Sequence, residues 1–159
     1  MRSVALLLFS TFLISIGLMF VIHVKAAPAS TEEMSVTITY PTNKSKVGRE
    51  VLVRGKALIP GGQYLWILAR RTDFKPLWWP QREAEVDPTT GEWKAIAILG
   101  GPQDIGWEFD VGVIVVNSEG HAKLQDYWIK SMQSGDWRPI QIPKTTVAPQ
   151  LIRVMKTSH

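Results

Sequence analysis

Cysteine is absent from this sequence of 159 residues, and only three histidines occur. The lack of cysteine excludes a disulfide-stapled scaffold, a thiolate metal site, an iron–sulfur cluster, a thiol nucleophile and the cysteine-linked lipid of a lipoprotein. His23 lies in an N-terminal apolar run and His159 is the last residue, so only His121 falls in the predicted folded part. It lies at the start of a predicted helix, where we expect it to be exposed. No histidine spacing typical of a metal site occurs, and the sequence therefore predicts no metal and no cofactor.

A recognisable phosphate-binding glycine loop is also missing, which leaves paired carboxylates as the candidates for catalysis. Glu83 and Glu85 alternate along one predicted strand, and Glu108 and Asp110 alternate along another, so each pair is expected to share a face. Glycosidases place two such groups across a cleft. Carboxylates on outer strand faces are more commonly solvated surface charges. We therefore predict no catalytic residue and no enzyme, with these four carboxylates as the alternative.

Clustered positive charge is lacking as well. The formal net charge is +4, but Arg2 and Lys25 lie in the first 26 residues, which contain no acid, so the remainder carries about +2. Its lysines and arginines are scattered, and Arg70-Arg71 is the densest pair. Because a nucleic-acid-binding protein concentrates its basic residues on one face or helix, nucleic acid is not a predicted partner.

One long apolar run does occur, at the N-terminus. Residues 4–24 contain no Lys, Arg, Asp or Glu, and they are bounded by Arg2 and Lys25. This pattern is typical of a secretory signal peptide cut before Ala27, but ~20 apolar residues also suffice to span a bilayer as an uncleaved anchor. Residues 1–26 are therefore predicted to be a signal peptide or a membrane anchor. Either one makes the rest of the chain extracytoplasmic: periplasmic, secreted or anchored in the cytoplasmic membrane with the domain outside.

After a short polar tether at residues 27–34, the hydrophobic pattern is that of β-strands. Alternating apolar residues in "VTITY", "EVLVRGKAL" and "WEFDVGVIVV" indicate half-buried strands. The segment "QYLWILARR" is instead apolar on both faces, as in the middle of a packed sheet or beneath a covering segment. "DPTTG" predicts the turn of a hairpin, and "LIRVMK" is the last predicted strand. Four-residue spacing of Leu124, Trp128 and Met132 predicts one helix of about three turns that ends at Gly135.

Seven or eight short strands separated by turns over residues 35–159 predict an all-β fold. The prediction is an immunoglobulin-like antiparallel β-sandwich with one short helix before the last strand, preceded by the N-terminal apolar helix. An eight-stranded barrel is the alternative. Removal of residues 1–26 from the 159 would leave 133, which is enough for one domain with its own core.

Several short motifs resemble, in the same order, a poorly characterised family of bacterial immunoglobulin-like domains. They are a Pro and a Gly after the first strand in "ITYPTNKSKVG", a Leu-Trp in "QYLWILAR", the segment "LWWPQ", the hairpin "GEWKAIAILGG" and the late strand "LIRVMK". The similarity extends from Val36 to Lys156. Such domains occur in extracytoplasmic or effector-linked proteins, so the resemblance implies an immunoglobulin-like fold outside the cytoplasm. It implies no catalytic residue.

Seven tryptophans, all after residue 60, are the main candidates for ligand binding. Trp66, Trp93 and Trp107 are expected to point into the core, and Trp128 on the predicted helix is expected to dock this helix on the sheet. Trp78 and Trp79 are adjacent, and neighbours in a strand point to opposite faces. One is therefore expected to point inward, while the other either lies beneath the helix and the Trp137 loop or stays exposed as an aromatic platform. Pro80 limits strand pairing and indicates a sheet edge.

The predicted binding residues are Trp78, Trp79, Gln81, Arg82 and Trp137. An exposed tryptophan on an edge strand suits the anchoring of a protein partner. It also suits stacking on a sugar ring whose hydroxyls bind neighbouring polar groups. The sequence therefore predicts a non-enzymatic, extracytoplasmic binding domain for a protein partner, with a carbohydrate-binding module for a polysaccharide as the alternative. Residues 4–24 would add contact with the membrane if they are not removed.

Overall fold

The computed structural model describes residues 33–159, so the predictions for residues 1–26 and for most of the tether lie outside the described residues. The described strands are β1 (Ser35–Tyr40), β2 (Ser45–Val47), β3 (Glu50–Leu58), β4 (Gln63–Arg71), β5 (Trp79–Glu83), β6 (Glu85–Val86), β7 (Glu92–Ile98), β8 (Glu108–Asn117) and β9 (Gln150–Lys156). One α-helix, α1 (Ser118–Ser134), follows β8, and short 3-10 turns occur at Thr72–Phe74 and Pro102–Asp104. Met34, the last residue of the predicted tether, is partly buried against the domain core.

The strands form two sheets, which confirms the predicted all-β sandwich class. The four-stranded sheet has the order β1-β3-β7-β6, and the five-stranded sheet has the order β2-β9-β8-β4-β5. Nine strands are described instead of the predicted seven or eight, because β2 and β6 have only three and two residues, too few to show a hydrophobic period. The predicted pairing is wrong at one place, since β2 runs parallel to β9.

The main core lies between the two sheets. Alternate residues of the central strands of the five-stranded sheet point into it, namely Leu65, Ile67 and Ala69 of β4 and Val111, Val113 and Val115 of β8. Val51, Val53, Trp93 and Ala97 meet them from the four-stranded sheet. Each large apolar side chain buried in this way contributes about 1.5–3 kcal/mol to stability relative to an exposed position, so the main core is the principal source of stability.

A second cluster, the outer core, covers the opposite face of the five-stranded sheet. It consists of Trp66, Leu68, Trp78, Ile114, Val116 and Leu124, with Tyr64, Ile140 and Ile142 packed against it. The intervening residues of β4 and β8 supply most of this cluster because successive strand side chains point to opposite faces. Helix α1 and the segment after it therefore form a third layer, as the apolar pattern of "QYLWILARR" predicted.

Helix α1 has 17 residues, more than the three turns predicted. The Asn117 side chain accepts a hydrogen bond from the Gly120 amide at the N-terminus, and Gly135, with φ 72°, ends the helix as predicted. Met132 belongs to the apolar spacing that predicted the helix, but it is exposed. Trp128, which was expected to dock the helix on the sheet, is only half-buried and belongs to neither core cluster. Residues four apart rotate by about 40° around a helix, so Met132 lies well away from the buried Leu124. Within residues 33–159, no helix is both long and apolar enough to cross a bilayer.

Trp107 was predicted as a core residue, but it is 43% exposed. Strand β8 begins only at Glu108, and the Trp107 amide instead donates to the Asp104 carbonyl in a turn that contains Gly106 at φ 89°. The Trp107 ring lies beneath the guanidinium of Arg71, with 4.3 Å between Cζ and the ring centroid. The sequence prediction therefore extended the alternating pattern of β8 one residue too far, into this turn.

Gly55 of β3 is needed for the close approach of two elements of the four-stranded sheet. A Cβ at this position would collide with the Thr37 carbonyl oxygen of β1 and with the Trp93 ring of β7. We expect Gly55→Ala to lower the free energy of unfolding by about 1–3 kcal/mol, the typical effect of overpacking a core. Gly61→Ala is the matched control, because a Cβ there meets no atom within 4 Å. Urea denaturation of both variants checks this, and equal midpoints would contradict it.

Candidate functional site

A side cleft of about 840 Å³ opens where the edges of the two sheets diverge. Both sheets, the two 3-10 turns, α1 and the segment after α1 contribute to it. The lining residues are Arg49, Glu50, Ala69, Arg70, Arg71, Phe74, Trp79, Pro80, Gln81, Arg82, Ile96, Ile98, Gly100, Gly101, Gln103, Asp104, Phe109, Trp128 and Trp137. Ala69 and Phe109 also belong to the main core, so the side cleft reaches down to the inner face of the five-stranded sheet.

Trp79 forms a fixed wall of the side cleft. It is paired with Ala69 of β4 on the edge strand β5, as the prediction of a sheet edge required. Its ring meets Phe74 edge to face, with 5.1 Å between ring centroids. Its indole Nε1–H donates to the Trp137 carbonyl oxygen at 2.7 Å. Because the ring is held by both contacts, this wall is formed before any ligand arrives.

Trp78 lies outside the side cleft. Only 6% of it is exposed, and it packs in the outer core on the opposite face of the sheet. Its backbone exchanges two hydrogen bonds with Ile140, and the Arg70 guanidinium lies over its ring at 3.9 Å. Gly112 faces this ring, and a Cβ there would lie 3.4 Å from it. The adjacent tryptophans therefore divide as predicted, one packed inside and the other directed to the cleft.

Gln81 and Arg82 both line the side cleft, as does Trp137. The Gln81 Oε1 accepts from the Ile98 amide at 2.8 Å, and its Nε2 donates to the Trp79 carbonyl at 3.1 Å. This side chain therefore joins the edge of β5 to the edge of β7. The Arg82 guanidinium lies over the Trp128 ring, with 5.4 Å from Cζ to the centroid. Thus four of the five predicted binding residues meet at one cleft, and Trp78 is separate from it.

Arg71 organises the end of the cleft next to the 3-10 turns. Its guanidinium donates to Asp73 at 2.7 Å and to Asp104 at 2.6 Å, and it also lies over the Phe74 ring at 4.9 Å. The hydrogen bonds from Arg71 hold the pKa of Asp73 below its ordinary value. Asp104 in turn accepts from the Gly101 amide at 2.8 Å. The two turns are thereby tied together across the cleft end.

Three exposed apolar side chains of the side cleft were not predicted from the sequence: Phe74, Ile96 and Ile98, which are 39%, 41% and 37% exposed. They lie in the same cleft as the predicted Trp137, which is 40% exposed. A signal was present in "AIAI", residues 95–98, which is apolar on both faces although one face of β7 lies against no second layer. An apolar outer face on an edge-proximal strand indicates a contact surface.

The four carboxylates that are the catalytic alternative form two groups: Glu83 and Glu85 are separated, whereas Glu108 and Asp110 are both ion-paired to Arg153. Glu83 and Glu85 lie in strands of different sheets, because the chain crosses between the sheets at Ala84. Asp110 is buried, where a solvated charge was expected, and it accepts from Arg70 at 3.1 Å and from Arg153 at 2.9 Å. Its two guanidinium partners offset the cost of burying the carboxylate, so Asp110 has a structural role.

His121 was predicted to be exposed at the helix start, and this prediction is wrong. Its ring stacks on Tyr64, with 3.8 Å between centroids, and its Nδ1 accepts from the Trp66 indole N–H at 3.1 Å. The first turn of α1 is therefore docked on β4. Among residues 33–159, no three His, Asp or Glu side chains are grouped as a metal site would require.

Comparison with known proteins gives no family assignment: no protein-family model matches the chain, and no curated protein shows significant sequence similarity to it. Its function must therefore be argued from the side cleft itself.

Iodide quenching of tryptophan fluorescence tests how the tryptophans are divided. We expect Trp78→Phe to leave the intensity of the iodide-quenchable emission unchanged, because iodide cannot reach a ring that is 6% exposed. Trp137→Phe should lower that intensity, because the ring is 40% exposed. Stern–Volmer plots of the full-length chain and both variants in a mild detergent check this. Loss of quenchable emission in Trp78→Phe, with circular dichroism unchanged, would contradict the assignment.

Proposed function

We propose that this protein is a non-enzymatic binding domain and that it holds a protein partner in the side cleft. The observation that carries this proposal is the convergence of four exposed apolar side chains, Phe74, Ile96, Ile98 and Trp137, on one cleft that also contains Trp79. Exposed apolar groups gathered in this way are characteristic of interaction sites. Aromatic residues that are preoriented lose little side-chain entropy on binding and are frequent anchors of interfaces.

The strand edges that flank the side cleft favour a protein partner. β5 is the edge strand of the five-stranded sheet, and β7 is covered by the two-residue β6 over only part of its length. The Trp79 carbonyl and the Ile98 amide are bonded to Gln81, so an extended segment of a partner gains main-chain hydrogen bonds at the other positions of these edges while its side chains enter the cleft. The apolar walls contributed by Ile96, Ile98 and Phe74 suit peptide side chains better than the hydroxyl-rich surface of a sugar.

A polysaccharide is the second candidate because of one feature. The exposed Trp137 ring lies in the same cleft as the guanidinium of Arg82 and the amide of Gln81. An aromatic face beside planar polar groups can stack on a sugar ring and bind its hydroxyls. This alternative depends on the ring of Trp137, whereas the protein proposal also requires the isoleucines of β7.

We further propose an immunoglobulin-like topology for the sandwich. In immunoglobulin nomenclature one sheet has the order A-B-E-D and the other has the order G-F-C, to which variable domains add C′. The orders β1-β3-β7-β6 and β9-β8-β4-β5 correspond to these, with β2 added beside β9. The resemblance to bacterial immunoglobulin-like domains supports the same topology. In this scheme α1 lies between strands F and G, and the side cleft lies between C′ and E.

An extracytoplasmic location completes the proposal. It is supported by the basic start, the apolar residues 4–24 and the small residues that follow them. If residues 1–26 remain attached, the domain binds its partner next to the membrane, and if they are removed the domain is periplasmic or secreted. The absence of cysteine is compatible with this location because the two cores stabilise the domain without disulfides.

Photo-crosslinking in the cells that produce the protein tests the proposed function. A photoreactive phenylalanine analogue at position 98 should give a covalent adduct with another protein, because Ile98 lines the side cleft. The matched control is the same analogue at position 40, since Tyr40 is 54% exposed but lies outside the cleft. When Trp137→Ala is added to the protein that carries the analogue at position 98, the yield of the adduct should fall severalfold.

Two results would count against the proposed function. Adducts of equal yield from positions 98 and 40 would indicate non-specific proximity. An adduct from position 98 that is unchanged by Trp137→Ala would show that the aromatic wall has no part in binding. If position 98 instead becomes attached to polysaccharide, the carbohydrate-binding alternative replaces the protein partner.

A further inference from the structure

Two arginines line the side cleft from opposite walls, and their terminal nitrogens donate to no residue in the part of the chain that the structure describes. Arg49 lies just before β3 in the four-stranded sheet, and only its Nε is engaged, donating to the Gly100 carbonyl at 3.2 Å. Arg82 lies on β5 of the five-stranded sheet, and its guanidinium is placed over the Trp128 ring. Neither arginine forms an ion pair with any residue in the described range 33–159, whereas Arg70 and Arg71 on the same cleft are paired with aspartates.

The unpaired charge along the side cleft is therefore mainly positive. Glu50 is the one lining carboxylate that has no ion pair within residues 33–159, against the two free guanidiniums of Arg49 and Arg82. Both guanidiniums are oriented by a neighbour, Arg49 by a carbonyl and Arg82 by an aromatic ring. A planar guanidinium with free terminal N–H groups matches a carboxylate in a two-pronged arrangement. Preorientation reduces the entropy that such a contact costs.

We propose that the partner enters the side cleft with an acidic, extended segment: an apolar side chain packs between Trp79 and Ile98, and flanking carboxylates bind Arg49 and Arg82. This inference rests on the proposed function, because it specifies the chemistry of the protein held in the cleft. The apolar walls supply the anchor, and the two guanidiniums select acidic neighbours over basic ones. Basic segments are disfavoured because they would bring like charges together.

Selection from a random dodecapeptide library displayed on phage tests this inference. The full-length chain in a mild detergent serves as the target, and enriched peptides are synthesised and measured by fluorescence polarisation. We expect them to contain Asp or Glu near an aromatic or aliphatic residue. Replacement of those acids by their amides should weaken binding about tenfold, the size expected for a charge-assisted hydrogen bond. Arg82→Glu and Arg49→Glu should weaken it at least as much.

Arg54→Glu is the matched control for the two charge reversals. Arg54 is exposed on β3 but lies outside the side cleft, so this variant should bind the peptides as the unaltered chain does. Circular dichroism of all three variants verifies that they are folded. If Arg49→Glu and Arg82→Glu bind the peptides no more weakly than Arg54→Glu, the inference is overturned.

Trp137→Ala separates this inference from the proposed function. If the selected peptides are neutral, and if they bind Trp137→Ala weakly but bind the arginine variants normally, the inference of an acidic partner is overturned. The cleft then remains a protein-binding site. Peptides that bind Trp137→Ala normally, or no enrichment at all, would overturn both. Oligogalacturonate is the second probe, and its binding in the absence of peptide binding would replace the acidic protein segment with an acidic glycan.

Discussion

The five-stranded sheet is apolar on both faces, and the rest of the structure depends on covering it twice. Along β4 and β8, alternate residues enter the main core, while the residues between them, such as Trp66, Leu68 and Ile114, point the other way. If the second face were uncovered, several large apolar side chains would be exposed to water, and each would lower the stability of the fold by about 1.5–3 kcal/mol. Helix α1 and the segment that follows it remove this cost. Residues 33–159 therefore form a three-layered domain.

The second cover also shapes the candidate binding site. Trp78 belongs to the outer core and is bound through its backbone to Ile140, so the start of β5 is fixed on that side. Strand alternation then directs Trp79 to the opposite side, where the Trp137 carbonyl accepts its indole proton. The segment that covers the outer core thus also holds the aromatic wall of the side cleft. The two adjacent tryptophans therefore connect the packing of the outer core with the candidate binding site.

The long, periodic elements were predictable from the sequence. The alternation in β3, β4 and β8 indicated the core faces, and Gly135 indicated the end of α1. The errors came where local context overrides the period, as at Trp107 in a turn and at Met132 beyond the contact face of α1. The side cleft itself was predictable only in part. Trp79, Gln81, Arg82 and Trp137 were identified by chemistry, whereas Phe74, Arg49 and the isoleucines of β7 join them only through tertiary packing.

Hydrogen exchange of the indole protons, followed by NMR on the 15N-labelled full-length chain in a mild detergent, tests the central claim most directly. The claim is that Trp79 is a preformed wall of the side cleft, held by the carbonyl of Trp137. The Trp79 indole proton should then exchange much more slowly than that of Trp107, whose ring is 43% exposed. The indole proton of Trp66, which is hydrogen-bonded to His121, serves as the reference for slow exchange. Exchange of Trp79 as fast as that of Trp107 would contradict the account.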